Sequence, residues 1–386
     1  MSGALGALAG VRVLDMTRLL PGPFCSRVLV DLGAQVDKLE DTGAGDYLRS
    51  MPPSVERDGE PLNAAFELLN LGKRSLALDL KAPAGRELFL ELVQHYDVLL
   101  ESFRPGVLER LGLGPAELLA RQPRLVVVSI TGYGSHGPDA HRAGHDLGYL
   151  ARAGVLGVSG PSDAPPAVPG VQLADVGAGL WGVIGVLAAL RDRDRTGRGQ
   201  HVDVSLLESA APFALYTLSE TLLGLPPSAA RGEGTLAGGV AVYATYATRD
   251  ERAVAFAALE PKFLGPFFAD HGLELSLEVL APGPHQAVLR ARLAAIFAAK
   301  TADEWRAYTA SRDVCLEVVA TPEEWRNDAQ RLALAAGRDP HKMPMPLGAP
   351  AAAPAPRQGA HSREVLAEAG IDDARIGELR KGGVVR

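Results

Sequence analysis

Along the first half of the chain, short β-branched runs alternate with helix-like patterns. Residues 11–15 read as a strand, 23–32 as a helix closed by Gly33, and 35–40 as a second strand. Residues 75–80 predict another strand and 83–94 a helix after it. Residues 97–100 and 125–130 are short apolar runs of the kind buried on both faces of a sheet. Strands alternating with helices predict an α/β domain around a parallel sheet, with ligands beyond the carboxyl ends of the strands.

Residues 176–191 give the clearest buried helix. Asp175 stands in its N-cap position, Gly177 and Gly179 are small, and Trp181, Ile184, Leu187 and Leu190 carry apolar bulk. Arg191, Arg193 and Arg195 suit its negative end. A turn at 197–200 leads into an alternating strand at 201–205. After Leu206 the pattern changes. Helix-like sequence runs to about 225, and a Gly-rich stretch covers 231–239. Residues 240–247 and 253–258 predict a hairpin around Arg249-Asp250-Glu251, and helical patterns continue to about 324. Residues 340–356 hold six prolines and read as an extended linker; an amphipathic helix at 362–369 precedes a short basic tail.

Composition narrows the function classes. The chain has 386 residues, 47% hydrophobic and 22% charged, which excludes a disordered polymer. A formal net charge of −7 argues against nucleic-acid binding through the bulk field but leaves room for a local cationic pocket. Two cysteines, Cys25 and Cys315, exclude a disulfide framework and a Cys-rich zinc site. They predict two buried free thiols in a reducing, cytoplasmic setting. Arg12, Asp15 and Arg18 interrupt the N-terminal apolar stretch, so no secretory signal is expected. The longest strongly apolar run, residues 179–190, falls short of the ~20 residues a spanning helix needs, so no membrane insertion is expected.

Candidate chemistry is sparse. The chain has no Gly-x-x-x-x-Gly-Lys-Ser/Thr phosphate loop, no Gly-x-Ser-x-Gly elbow and no His-Glu-x-x-His helix. Gly132, Gly134 and Gly137 form a glycine-rich loop without dinucleotide spacing. His145 follows that loop, where α/β proteins place site residues; from the residues alone a helix-capping or surface histidine beside Asp146 is the commoner reading. Asp175 is either a plain N-cap or a carboxylate beside a space left by Gly177 and Gly179. Glu260 ends an apolar strand, where a carboxylate also simply meets solvent. Lys73, Arg74 and Lys81 around one strand, and Arg104 after another, are either phosphate-binding cations or solvated surface charge.

Taken in order, a set of segments carries a resemblance. They are Val13-Leu14-Asp15 with Pro21-Gly22-Pro23, Asn70 with Gly72-Lys73-Arg74-Ser75, and Leu78-Asp79-Leu80-Lys81. Phe103-Arg104-Pro105-Gly106-Val107, Thr131-Gly132-Tyr133-Gly134, Gly197-Arg198-Gly199-Gln200 and Glu260-Pro261-Lys262-Phe263 follow. Over nearly the whole chain it resembles the family III CoA-transferases and, among them, the alpha-methylacyl-CoA racemases. Ala143-Gly144-His145-Asp146 and the Glu-Pro-x-Phe segment at Glu260 favour the racemase branch.

The resemblance implies an interlocked homodimer. Each subunit would have a Rossmann-like large domain from residues 1–205 and 332–386, a helical linker over 206–231, and a smaller α+β domain over 232–331. It implies His145 and Asp175 as the two catalytic bases, with Glu260 hydrogen-bonded to the histidine. An acyl-CoA thioester would be the ligand, with CoA carried by the substrate, no separate cofactor and no metal. Its contacts would be Leu78, Asp79, Leu80, Lys81, Ser102, Phe103, Arg104, Gly144, Asp146, Leu147, Gly148 and Tyr149. Three positions depart from the family pattern: Asp41 and Leu71 stand where arginines are common, and Ser102 where asparagine is. Val240-Ala241-Val242 replaces a commoner Ala-Pro-aromatic piece. The expected activity is racemisation of 2-methylacyl-CoA thioesters in lipid metabolism. The alternatives are a CoA-transferase using Asp175 as nucleophile, and a non-catalytic acyl-CoA-binding paralogue.

Overall fold

The computed structural model describes residues 6–57, 59–335 and 353–386. The chain divides into two compact units. The first comprises Met1–Leu150, Val171–Ala210 and Ala329–Arg386; the second comprises Ala151–Gly170 and Ala211–Asp328.

The first unit is built on a six-stranded parallel sheet. Its strands are β1 (Arg12–Asp15), β2 (Gln35–Glu40), β5 (Arg74–Ala77), β6 (Val98–Glu101), β7 (Val126–Thr131) and β8 (His201–Ser205); β3 (Ser54–Arg57) and β4 (Glu60–Asn63) form a separate antiparallel ribbon. The order is β5-β2-β1-β6-β7-β8. Val13 pairs with Val36 on one side and Val98 on the other, so the strand order reverses between β1 and β6. β6 and β7 are buried throughout, as their apolar runs predict. Leu14, Leu76, Phe89, Leu99 and Val127 meet in one apolar cluster with almost no exposure.

Several elements depart from the sequence expectation. The clearest helix runs Leu173–Thr196, a turn earlier than predicted at its start and five residues longer at its end. Its 24 residues make it long and apolar enough, by length and composition, to cross a bilayer. Half of its most apolar stretch is buried, packed on the Pro21–Asp31 helix and on β7 and β8. Gly179 and Gly182 permit that contact. A Cβ on Gly179 would stand 2.7 Å from the Phe24 ring and 2.8 Å from the Pro21 carbonyl. The space beside Gly179 is therefore filled by the neighbouring helix rather than left for a ligand. After Ser362–Glu368 comes a second C-terminal helix, Asp373–Lys381, where a basic tail was expected; Leu78 then bridges Val385.

In the second unit, β9 (Tyr243–Ala247) and β10 (Ala253–Ala257) form the predicted hairpin, and β11 (Leu316–Val318) extends it antiparallel. Phe256, Phe267, Phe297 and Trp305 fill its core. The Trp305 indole N–H donates to the Phe297 carbonyl at 3.0 Å, which lets a polar handle stay buried. The predicted helix over 206–225 breaks into Leu206–Ala210, a 3₁₀ turn at Ala211–Ala214 and Ser219–Leu222. Most of the proline-rich linker, 340–352, lies outside the described residues. Cys25 and Cys315 are both free thiols; Cys315 is only half-buried, contrary to expectation.

Candidate active site

A cavity of about 530 Å³ opens at the carboxyl ends of the strands around the β1–β6 reversal. That is where an open α/β sheet leaves a crevice, because neighbouring connections leave on opposite faces. Met16, Arg18 and Leu19 follow β1, and Tyr47 follows β2. Ser102, Phe103 and Arg104 follow β6, Thr131 and Gly132 end and follow β7, and Leu206 follows β8. Gly144, His145, Tyr149 and Asp175 complete the wall.

Two helix starts bring the titratable groups together. The His145 carbonyl accepts the amides of Gly148 at 2.8 Å and Tyr149 at 3.3 Å, so His145 stands at the entry to the Asp146–Arg152 helix. The Asp146 carboxylate accepts the amides of Ala174 at 2.7 Å and Asp175 at 3.1 Å. Asp146 thus caps the Leu173–Thr196 helix from another segment. Asp175 is not its N-cap; it sits in the first turn, after Gln172, whose side chain makes no cap. The correction has a physical cause: an acceptor from elsewhere satisfies donors that a local N-cap would otherwise serve.

Burial first, and the nearby Asp146 charge second, push Asp175 up to about 6, while His145 pulls it partly back. Tyr149 is pushed up to about 12 by burial, with Tyr133 and Asp175 adding to it, so its hydroxyl stays a donor. Its ring meets Tyr133 edge-on at 5.1 Å and lies where side chains at Gly132 or Gly144 would collide; a Cβ at Gly144 would stand 2.6 Å from it. The two glycines therefore set how closely the aromatic wall approaches His145.

The remaining sequence candidates fall in three groups. Ser102, Phe103, Arg104, Gly144 and Tyr149 line this cavity. Leu147 is exposed, and Gly148 lies on the same helix turn as Tyr149. Leu78 is buried in the sheet core, and Asp79, Leu80 and Lys81 are likewise absent from the cavity wall. The Asp79 carboxylate accepts the Lys81 amide at 2.9 Å. Glu260 belongs to the second unit, exposed and at the N-cap of the Pro261–Asp270 helix without a side-chain cap.

The cations at the start of β5 are not free for phosphate. Lys73 is fully buried against Asp15 at 3.1 Å and Asn70 at 2.8 Å. Arg74 makes a two-pronged contact with Asp37 and also pairs with Glu364 and Glu368. Asp41 accepts Arg18 at 2.9 Å and the Gly43 and Gly45 amides at 2.9 and 3.1 Å, so it shapes the loop after β2 and anchors a cavity arginine. Arg18, Tyr47, Thr131 and Arg142 line the cavity without having been singled out by sequence. Arg18 and Tyr47 lie in the loops leaving β1 and β2, Thr131 ends β7 and Arg142 lies in the loop after it, so position at or beyond a strand's carboxyl end is the signal they share.

With this geometry in hand, the comparisons give the class. Residues 8–362 match CoA-transferase family III, and the chain belongs to that family. It is 35% identical to the alpha-methylacyl-CoA racemase of Homo sapiens, over 98% of this chain and 97% of that protein. It is also 38% identical to the succinyl-CoA:glutarate CoA-transferase of Mus musculus, over 63% of this chain and 55% of that one. A solved CAIB/BAIF family protein from Brucella suis superposes with a TM-score of 0.79 at 30% identity, covering 94% of this chain and 98% of its own. Family membership supports an enzyme acting on acyl-CoA.

Proposed function

We propose that the protein racemises 2-methylacyl-CoA thioesters by 1,1-proton transfer at the α-carbon, with His145 and Asp175 as the two bases. The observation that carries this reading is one cavity wall holding both an imidazole and a carboxylate pushed up to about 6. The α-proton must leave one face and return to the other, which one base alone does not achieve. For the S isomer His145 removes the proton and neutral Asp175 delivers one to the opposite face; for the R isomer the roles reverse. A carboxyl with its pKa near 6 is roughly one-tenth protonated at pH 7, so both forms are available at neutral pH.

Negative charge develops on the thioester oxygen in the enolate and calls for hydrogen-bond donors. The amides of Ala174, Asp175 and Val176 already donate, to Asp146 and to the Gln172 carbonyl. That discounts the start of the helix as an oxyanion hole and leaves the Gly144 segment as the proposed donor. Arg104, with Ser102 and Phe103, is the proposed grip on the CoA moiety, and Glu260 the proposed tuning group for His145. CoA enters as part of the substrate. The protein would act as a cytoplasmic homodimer, supported by an exposed apolar row on the Leu173–Thr196 helix.

A second reading draws on the relatives named as CoA-transferases. There Asp175 attacks the thioester carbonyl, CoA thiolate leaves, and an acyl-aspartyl anhydride remains. Incubation with a 2-methylacyl-CoA in D₂O, without an acid acceptor, separates the two. Deuterium at the α-carbon, seen by NMR, is the expected result. In a parallel incubation with free acids added, transfer of CoA onto them without α-exchange in either would replace the first reading by the second.

A further inference from the structure

The segment that carries Arg104 also borders a second cavity, of about 440 Å³; Phe103, Arg104, Pro105 and Thr131 line both. Glu101, the last residue of β6, is buried in its wall. The Phe103 amide donates to Glu101 Oε2 at 2.7 Å, and Ser129, its register partner on β7, sets a hydroxyl beside the carboxylate that favours its charged form. Ser129 Oγ lies 2.9 Å from His201 Nε2. Glu101 ends β6, Ser129 lies within β7 and His201 opens β8, so carboxylate, hydroxyl and imidazole share one wall, and the Phe103 bond leads from it to Arg104.

We infer that Glu101 is a positioning residue whose carboxylate, set beside Ser129 in the second cavity, holds the Phe103 amide, fixes residues 102–104 and so aims Arg104 into the first. The inference deepens the proposed function, since it rests on Arg104 as a CoA contact. A backbone amide on an ionised acceptor makes a bond roughly twice as strong as on a neutral one. The charge state of Glu101 therefore sets how firmly the segment is held.

The groups facing Glu101 oppose that charge. Glu109 comes from the Val107–Arg110 helix, Glu117 from the Pro115–Arg121 helix and Asp203 from β8. His136 and His141 follow β7, His201 stands on β8 facing Ser129, and Arg104 is the remaining cation. Burial, then Glu109 and Asp203, push Glu101 up to about 7 against the Ser129 hydroxyl and the Phe103 amide. Burial also lowers His201, so this imidazole stays neutral down to lower pH than usual. The carboxylate, and with it the firm hold on residues 102–104, is lost as pH falls through neutrality.

The test compares wild type with Glu101→Gln, which keeps an acceptor but does not titrate, and with Glu101→Ala, which has none. Amide hydrogen exchange of the 102–107 stretch, corrected for intrinsic rates, and CoA affinity by calorimetry are followed from pH 8 to 6. Wild type should lose protection and CoA affinity relative to Glu101→Gln as pH falls. Taking that ratio cancels titration of CoA's own phosphates. Glu101→Ala should lose both at every pH, with affinity down roughly tenfold. A Glu101→Gln protein with the wild-type pH slope in exchange overturns the inference, and it does so even if Glu101→Ala does not fold. Glu101-dependent protection with CoA affinity unchanged upholds the positioning but removes CoA from Arg104, which is a failure of the proposed function instead.

Discussion

At Asp175 the fold keeps a carboxylate where burial and the Asp146 charge both favour its neutral form. Its pKa is raised from 3.8 to about 6, so the folded state binds a proton more tightly than the unfolded chain does. The stabilisation this gives is complete below about pH 4 and is lost as pH rises through about 6. At pH 7–8 Asp175→Asn should therefore be more stable than wild type, by on the order of 2 kcal/mol, with the gain vanishing near pH 4. Thermal melts across that range check it; equal melting temperatures at pH 8 would mean that Asp175 is solvated. The activity forecast has the opposite sign. His145→Ala should stop racemisation yet still exchange the α-proton of the R isomer, and Asp175→Asn should spare exchange of the S isomer. Each loss of turnover should reach about 10²–10⁴-fold, and Glu260→Gln should cost less. A folded His145→Ala protein racemising at the wild-type rate would end the two-base scheme, whereas the transferase reading makes only Asp175 indispensable. Arg104→Ala should raise KM with kcat nearly unchanged, as removal of uniform binding does.

Among the elements, the decisive link is the one by which Asp146 ties the His145 turn to the first turn of the Leu173–Thr196 helix. Asp146→Ala should destabilise the fold by about 1–2 kcal/mol through the lost cap. It should also let Asp175 fall toward an ordinary carboxylate value, because a facing negative charge is gone. Asp146→Asn should restore much of the stability while still lowering Asp175; carboxyl NMR titration beside thermal melts separates the two effects. This link was not legible in the sequence, where Asp before an apolar run looks like a local N-cap and an acceptor 29 residues away is invisible. What was legible depends on pattern over short range: β8 and the β9–β10 hairpin follow directly from their alternation and turn residues. The helix-like run after Leu206 misled because its apolar residues are exposed, as at Tyr216, Leu222 and Leu223, and do not mark one continuous buried face. Lys73 and Arg74 misled for a related reason. Their carboxylate partners at Asp15, Asp37 and Glu368 are remote in sequence, so charge alone looked available.

For the whole molecule, the question is what covers the outer face of the Leu173–Thr196 helix. Leu180, Trp181, Ile184 and Leu187 recur at helical spacing and are 44%, 45%, 51% and 38% exposed, while Gly179, Gly182, Val183 and Val186 on the other side are buried. A helix with apolar residues on both faces is satisfied only when both are covered, and contiguous exposed apolar surface of this kind marks an interaction site. In the proposed homodimer a second copy covers it. Two consequences follow. Wild type should sediment as a dimer at micromolar concentration, and its melting temperature should rise with protein concentration, since association stabilises only the folded state. Ile184→Glu, which sets a charge in the middle of the row, should move the protein to monomer and lower its melting temperature to a value that no longer depends on concentration. Ile184→Leu, of similar volume, should remain dimeric and active, so loss of dimer in the glutamate variant cannot be laid to general sensitivity at that position. A wild-type protein that sediments as a monomer, or an Ile184→Glu protein that stays dimeric, would show that the row on this helix is not where two chains meet.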